Sequence, residues 1–150
     1  MPDRKTLERA AKDKREGKAP TTQAGEFVRE EIEHIREGEH GARSTEQAIA
    51  IGLSKARRAG VKLPPPKKGT TSSATRKRAE RDYEAGNKAS KRTSTRRAKA
   101  TKRALKRESR AAASRTALSK HAKKVARTRS ASSRSAAARK AARTRARKRR

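Results

Sequence analysis

Arginine and lysine are the residues of this chain with the most chemistry to offer, and they crowd into its C-terminal half. The segment 85–150 holds 16 Arg and 10 Lys against a single acid, Glu108. A guanidinium chelates phosphate through two N–H groups and can enter a narrow minor groove, while an ammonium supplies a point charge. The candidate phosphate ligands begin with Arg96, Arg97, Lys99, Lys102, Arg103, Lys106, Arg107 and Arg110. They continue through Lys123, Lys124, Arg127 and Arg129 to Arg139, Lys140, Arg143, Arg145, Arg147, Lys148, Arg149 and Arg150. The surplus of +25 on this segment matches the charge on roughly 40 Å of DNA duplex, at about one charge per 1.7 Å. Such binding releases counterions and is steeply salt-dependent. The two aromatic residues, Phe27 and Tyr83, both precede the segment, so stacking on unpaired bases is not expected. Arginine also stacks on bases, which keeps RNA open as a target beside DNA.

Other chemistry is sparse. His34 and His40 stand near Glu33, Glu37 and Glu39, which raises the question of a metal ion. A solvated acidic helix face is the simpler expectation, so no metal ligand is assigned. His121, between Lys120 and Lys123, reads as a further polyanion contact. The acids of 26–39 have the alternative of folding back on the basic segment and competing with nucleic acid, against the plainer reading of solvation. Phosphate on Ser130, Ser132, Ser133 or Ser135 would subtract charge and weaken binding. No phosphate-cradling G-x-x-x-x-G-K-[ST] or G-x-G-x-x-G occurs, nor G-x-S-x-G or H-E-x-x-H. No catalytic residue, cofactor or enzymatic activity is expected.

These residues need elements to carry them, and periodicity marks several. Residues 3–16 favour helix, but with only Leu7, Ala10 and Ala11 as apolar content the helix is expected to be solvated and fraying. Residues 22–37 form an amphipathic helix with Thr22 as N-cap and Val28, Ile32 and Ile35 on one face beside Phe27. Residues 45–59 form the clearest helix. Ser44 and Gln47 make an S-x-x-Q capping box, and Gly60 and Pro64–Pro66 end it. The loop between these two suggests an antiparallel helical hairpin with a core of Phe27, Val28, Ile32, Ile35, Ile49, Ile51, Leu53 and Val61. A core of that size is marginal alone, which makes the hairpin a candidate for homodimerisation. Residues 64–75 read as a linker. Helix resumes at 76–85, and further helices near 92–108, 115–129 and 134–147 are expected to form mainly once phosphate neutralises them. Leu118, Ala122 and Val125 share the one apolar stripe of this region.

Composition sets the outer limits. The chain has 150 residues, 46 basic and 15 acidic, for a net charge of +31, and 29% of it is hydrophobic. So few large apolar side chains offset poorly an ordering cost of roughly 1–2 kcal/mol per residue. The fold class expected is therefore all-α, a small two-helix hairpin with a long basic tail that is disordered or transiently helical when free. The divisions are a charged helical lead (1–20), the hairpin (21–63), the linker (64–75) and the tail (76–150). Residues 1–70 carry 16 basic and 11 acidic side chains, whereas residues 71–150 carry 30 and 4. Cysteine is absent, so disulfides and thiolate metal sites are excluded. The longest apolar run, residues 48–53, falls far short of the ~20 residues a bilayer requires. No apolar leader follows Met1. The expectation is a cytoplasmic protein located on the nucleoid.

The stretch 44–60 (STEQAIAIGLSKARRAG) resembles a bacterial family of small basic proteins of unknown function that carries a Q-A-I-A-I-x-L-S-x-A-R-x-A-G signature, and the match covers about residues 25–63. Glu46 and Gly52 depart from its pattern. The resemblance implies no reaction. The basic segment is similar in composition to histone-H1-like tails of bacterial nucleoid proteins. Sequence-nonspecific DNA binding through the tail is thus the leading expectation. The alternatives are a protein-interaction module with a tethering tail, and an RNA- or ribosome-associated basic protein.

Overall fold

The computed structural model describes residues 1–88 and 94–148. Among them are seven α-helices: α1 (Arg4–Arg15), α2 (Pro20–Glu37), α3 (Thr45–Arg58), α4 (Ser73–Asn87), α5 (Thr95–Lys106), α6 (Arg115–Thr128) and α7 (Ala131–Lys148). A 3₁₀ turn, Arg110–Ala113, falls between α5 and α6. The chain divides into two compact units, Met1–Ser114 and Arg115–Arg150. Among the described residues no helix is long and apolar enough to cross a membrane.

In the first unit α2 packs against both α1 and α3, and α4 packs on the opposite flank of α3. The helix ends follow local chemistry. Pro20 opens α2 at its first turn, two residues ahead of Thr22, because its missing N–H and fixed φ suit that position. Ser44 caps α3, its Oγ accepting from Gln47 N–H at 3.2 Å. The returning bond of the capping box goes one residue further, from Arg43 N–H to Gln47 Oε1 at 2.7 Å. Ser72 caps α4 by accepting from Thr75 N–H.

The apolar cluster comprises Ala10, Ala24, Phe27, Ala56, Val61 and Leu63, with Leu53 packed on it. The face that α3 buries is its small one, Ala48, Gly52 and Ala56, while Ile49, Ile51 and Leu53 are half-buried. The reason is a close crossing: a Cβ added at Gly52 would lie 2.6 Å from Val28 Cα and 2.9 Å from Val28 N. Helix α1 also contributes a small face, burying Thr6, Ala10 and Asp13 at helical spacing. It is seated rather than fraying, because Asp3 N–H donates to Glu30 Oε2 (3.1 Å) and Arg9 approaches Glu26 (3.8 Å).

An ionic seam joins α2 to α3. Glu30 and Glu31 are both buried, and Lys55 Nζ stands 3.2 Å from Glu30 Oε1 and 2.7 Å from Glu31 Oε2. Burial pulls the Lys55 ammonium down, but contact with Glu31 and the charges of Glu31 and Glu30 outweigh it, so the net shift is upward. On the other flank of α3, Ser54 Oγ and Arg58 Nε both reach Asp82 at 2.7 Å and fix α4.

The two-helix hairpin with a disordered or transiently helical tail is therefore corrected to a multi-helix, all-α chain. Three physical terms account for the difference. The helix 20–37 finds partners on both sides, so the core draws on α1, α4 and the 61–63 turn as well as the hairpin. Helices α5, α6 and α7 are built from Ala, Arg and Lys, which sit at the favourable end of the helix scale. Like-charge i,i+4 pairs oppose that by only about 0.2–0.5 kcal/mol each, and salt screens them.

Candidate nucleic-acid interface

Within the first unit the chain 105–113 is tied to α2, α3 and the loop between them by two backbone and two side-chain hydrogen bonds. Gly41 N–H donates to Leu105 C=O (2.9 Å) and Ala42 N–H to Ser109 C=O (3.0 Å). Thr45 Oγ1 donates to Ala112 C=O (2.7 Å) and Arg36 Nε to Ala113 C=O (2.9 Å). Gly41 has to be glycine here, because a Cβ would collide with Glu108 C=O. Ala112 and Ala113 are buried by this docking.

Helix α5 leads into that anchor. At 3.6 residues per turn, Arg96, Lys99, Lys102, Arg103 and Lys106 gather on one side of it, Arg97 stands apart, and Arg107 caps the end. All of them are exposed. Arg110, also exposed, extends toward Gly38 at the C-terminus of α2, where a cation suits the negative end of the helix dipole.

Taken by itself, the unit Arg115–Arg150 contains 15 Lys and Arg and no acid; all 15 acids of the chain lie in Met1–Ser114. On α6, Lys123, Lys124 and Arg127 share one face. The half-buried Leu118 and the exposed Val125 lie on the other. Arg129 follows the helix and donates to Ser133 Oγ (3.2 Å). On α7, Arg139, Lys140, Arg143 and Arg147 fall within one arc, and Arg145 points elsewhere, its Nε donating to Ala141 C=O (3.4 Å). Lys148 ends α7, with its side chain outside the described residues, as are Arg149 and Arg150 altogether. Ser130 is occupied as a cap, accepting from Ser133 N–H at 3.2 Å.

Within the described residues of this unit, three cations absent from the sequence-based set are equally exposed: Arg115, Lys120 and Arg134. Lys120 completes the α6 stripe, three and four residues ahead of Lys123 and Lys124, a relation that helical spacing alone would have shown.

The acids of 26–39 are in good part engaged within the first unit: Glu26 with Arg9, Glu33 with Arg29, and Glu30 and Glu31 with Lys55. His34 and His40 do not lie on a solvated acidic face. Their side chains are only 13% and 11% exposed; His34 faces Asp3 at 3.3 Å with Glu39 at 4.0 Å, and His40 faces Glu31.

The model of a family of unknown function, DUF6496, matches residues 5–68 of the chain. No curated protein and no solved structure matches it. The resemblance drawn on residues 25–63 is corrected accordingly. The matched stretch takes in α1 as well as the α2–α3 pair and stops before α4. It singles out no signature motif, no bacterial group and no function. Nothing that matches extends into α5, α6 or α7, so the likeness to histone-H1-like tails falls away.

Proposed function

We propose that this chain binds nucleic acid, DNA in the first place, through phosphate contacts and without reading base sequence. The observation that supports it most is the segregation of charge: every carboxylate side chain belongs to Met1–Ser114, while α6 and α7 present exposed cations with no acid in their unit. Gathering like charges along one helix face costs folding energy. A polyphosphate returns that cost and adds counterion release. Arginine outnumbers lysine in 85–150, which favours bidentate grip on phosphate. The absence of aromatic side chains from this part of the sequence removes the usual platform for stacked bases. If the polymer is chromosomal DNA, the protein resides on the nucleoid.

The test is a competition on the full chain. Random-sequence duplexes of equal length are expected to bind alike, with an affinity that falls steeply between 50 and 200 mM salt. Structured RNA winning over duplex at both salt concentrations would transfer the proposal to RNA. Retention of affinity after Lys120, Lys123, Lys124 and Arg127 on α6 and Arg139, Lys140, Arg143 and Arg147 on α7 are all changed to alanine would defeat it.

A further inference from the structure

At the α2–α3 seam two buried carboxylates face one ammonium. Glu30 and Glu31, both buried, share the single ammonium of Lys55, and Asp3 stands beside them. Glu30 is satisfied: Oε1 accepts from Lys55 and Oε2 from Asp3 N–H. Glu31 is not. Its residue is fully buried, and neither carboxylate oxygen receives a hydrogen bond. Lys55 Nζ and His40 Nε2 come within 2.7 and 3.3 Å of these oxygens, but at angles outside hydrogen-bond geometry. Lys55 thus neutralises Glu31 without saturating its lone pairs, and a buried carboxylate in that condition has room for a further donor or cation.

The two half-buried histidines flank that carboxylate. Glu31 and His34 are three residues apart on α2, so one turn of helix places them on the same side. His40 reaches back from the loop that follows α2. One donor atom from each of Glu31, His34 and His40 lies within 4.8 Å of the other two. With Nδ1–H of His40 donating to Gly41 C=O (3.1 Å), its Nε2 is left to face Glu31 Oε1 at 3.3 Å. A proton or a metal cation can stand between these two atoms, and metal titration distinguishes them. A ring N–H held by a backbone carbonyl is also the usual support of a ligating imidazole. Ligand atoms about 2.1 Å from a tetrahedral ion stand about 3.4 Å apart and point at the ion rather than at each other. The His40–Glu31 separation and its off-axis angle both fit that arrangement.

We propose that Glu31, His34 and His40 form a binding site for a divalent first-row transition metal ion. Two imidazoles and one carboxylate select such an ion over calcium or magnesium, which prefer all-oxygen sites. A neighbouring trio, Asp3, Glu30 and His34, shares one histidine. It is the weaker candidate, because both Glu30 oxygens are already engaged and Asp3 is exposed. The ion would fasten the loop 38–44 to the last turns of α2. That loop carries Gly41 and Ala42, which hold the chain at Leu105 and Ser109.

The experiment is titration of the full chain with Zn²⁺ alone and Co²⁺ alone. We expect one tightly bound equivalent, a rise in thermal midpoint, and, for cobalt, visible d–d absorption. X-ray absorption on the zinc-loaded protein should count two imidazole nitrogens. The chain has three histidines and no cysteine, so His121→Ala is the control and should bind as the parent does. His34→Ala and His40→Ala should each lower affinity at least about tenfold. Circular dichroism without metal establishes that these variants are folded. The proposal is overturned if zinc fails to bind, if His121→Ala abolishes binding while His40→Ala does not, or if the absorption fine structure shows oxygen ligands only. The absorption count decides the matter even where a variant misfolds.

Discussion

Replacing Gly52 by alanine sets two residue-scale effects against each other. A glycine inside a helix ordinarily costs about 1 kcal/mol relative to alanine. Here the new Cβ would fall 2.6 Å from the backbone of Val28, which cannot move like a side-chain tip. Overpacking of this kind costs about 1–3 kcal/mol, so the steric term wins. Gly52→Ala is expected to lower the urea midpoint, and an unchanged or raised midpoint would mean that α2 and α3 do not cross so closely. Lys55 gives a second expectation. Removing it, as in Lys55→Met, strands Glu30 and Glu31 in the interior. Its side chain is 24% exposed, so the cost lies at or below the lower end of the about 3–5 kcal/mol typical of a broken buried pair. Its ammonium is held above the ordinary lysine value of 10.5 in the folded state. The stabilisation is therefore complete below pH 10.5 and lost as pH rises through the folded-state value. Urea melts at pH 8 and pH 11 should show the parent losing stability that Lys55→Met never had.

At the scale of elements, the α6 stripe makes the most direct prediction. For duplex DNA, every cation taken off the phosphate backbone should lower the slope of log K against log salt by about 0.9. Changing Lys120, Lys123, Lys124 and Arg127 to alanine should then flatten the slope by about 3–4, with helicity kept, since alanine is the better helix former. Ser44→Ala should cost the first unit about 1 kcal/mol by thermal melting, because α3 then has no side-chain cap. That cap is legible in the sequence because it depends on residues three apart, and so are the positions of most of the helices. The buried face of α3 is not. Ile49, Ile51 and Leu53 are the bulky residues, yet Ala48, Gly52 and Ala56 set the crossing, because a close approach selects for small size rather than hydrophobicity. Nor is the seating of α1, whose buried face of Thr6, Ala10 and Asp13 has almost no apolar signature. The C-terminal helices are legible in position but not in stability. Repulsion between their charges is conspicuous in the sequence, whereas the propensity of Ala, Arg and Lys counts only when summed over whole helices.

For the whole molecule, charge is divided along the chain. The first unit holds all the acids, several of them buried or paired, and the second holds none. The candidate cations are legible from composition alone, whereas the environment of His34 and His40 is not. Helical spacing puts Glu31 on the side of His34, but the approach of Asp3 to His34 and the return of His40 to Glu31 depend on the tertiary fold. The similarity to a family of unknown function covers residues 5–68, which leaves the most basic helices to be understood from their physics. These helices are proposed to bind nucleic acid phosphates without reading bases. That binding is tested most directly by the affinity of the full chain for a random duplex, measured across a salt series. Phosphate binding gives a straight line of log K against log salt with a slope of about −5 or steeper. A flat line would contradict it.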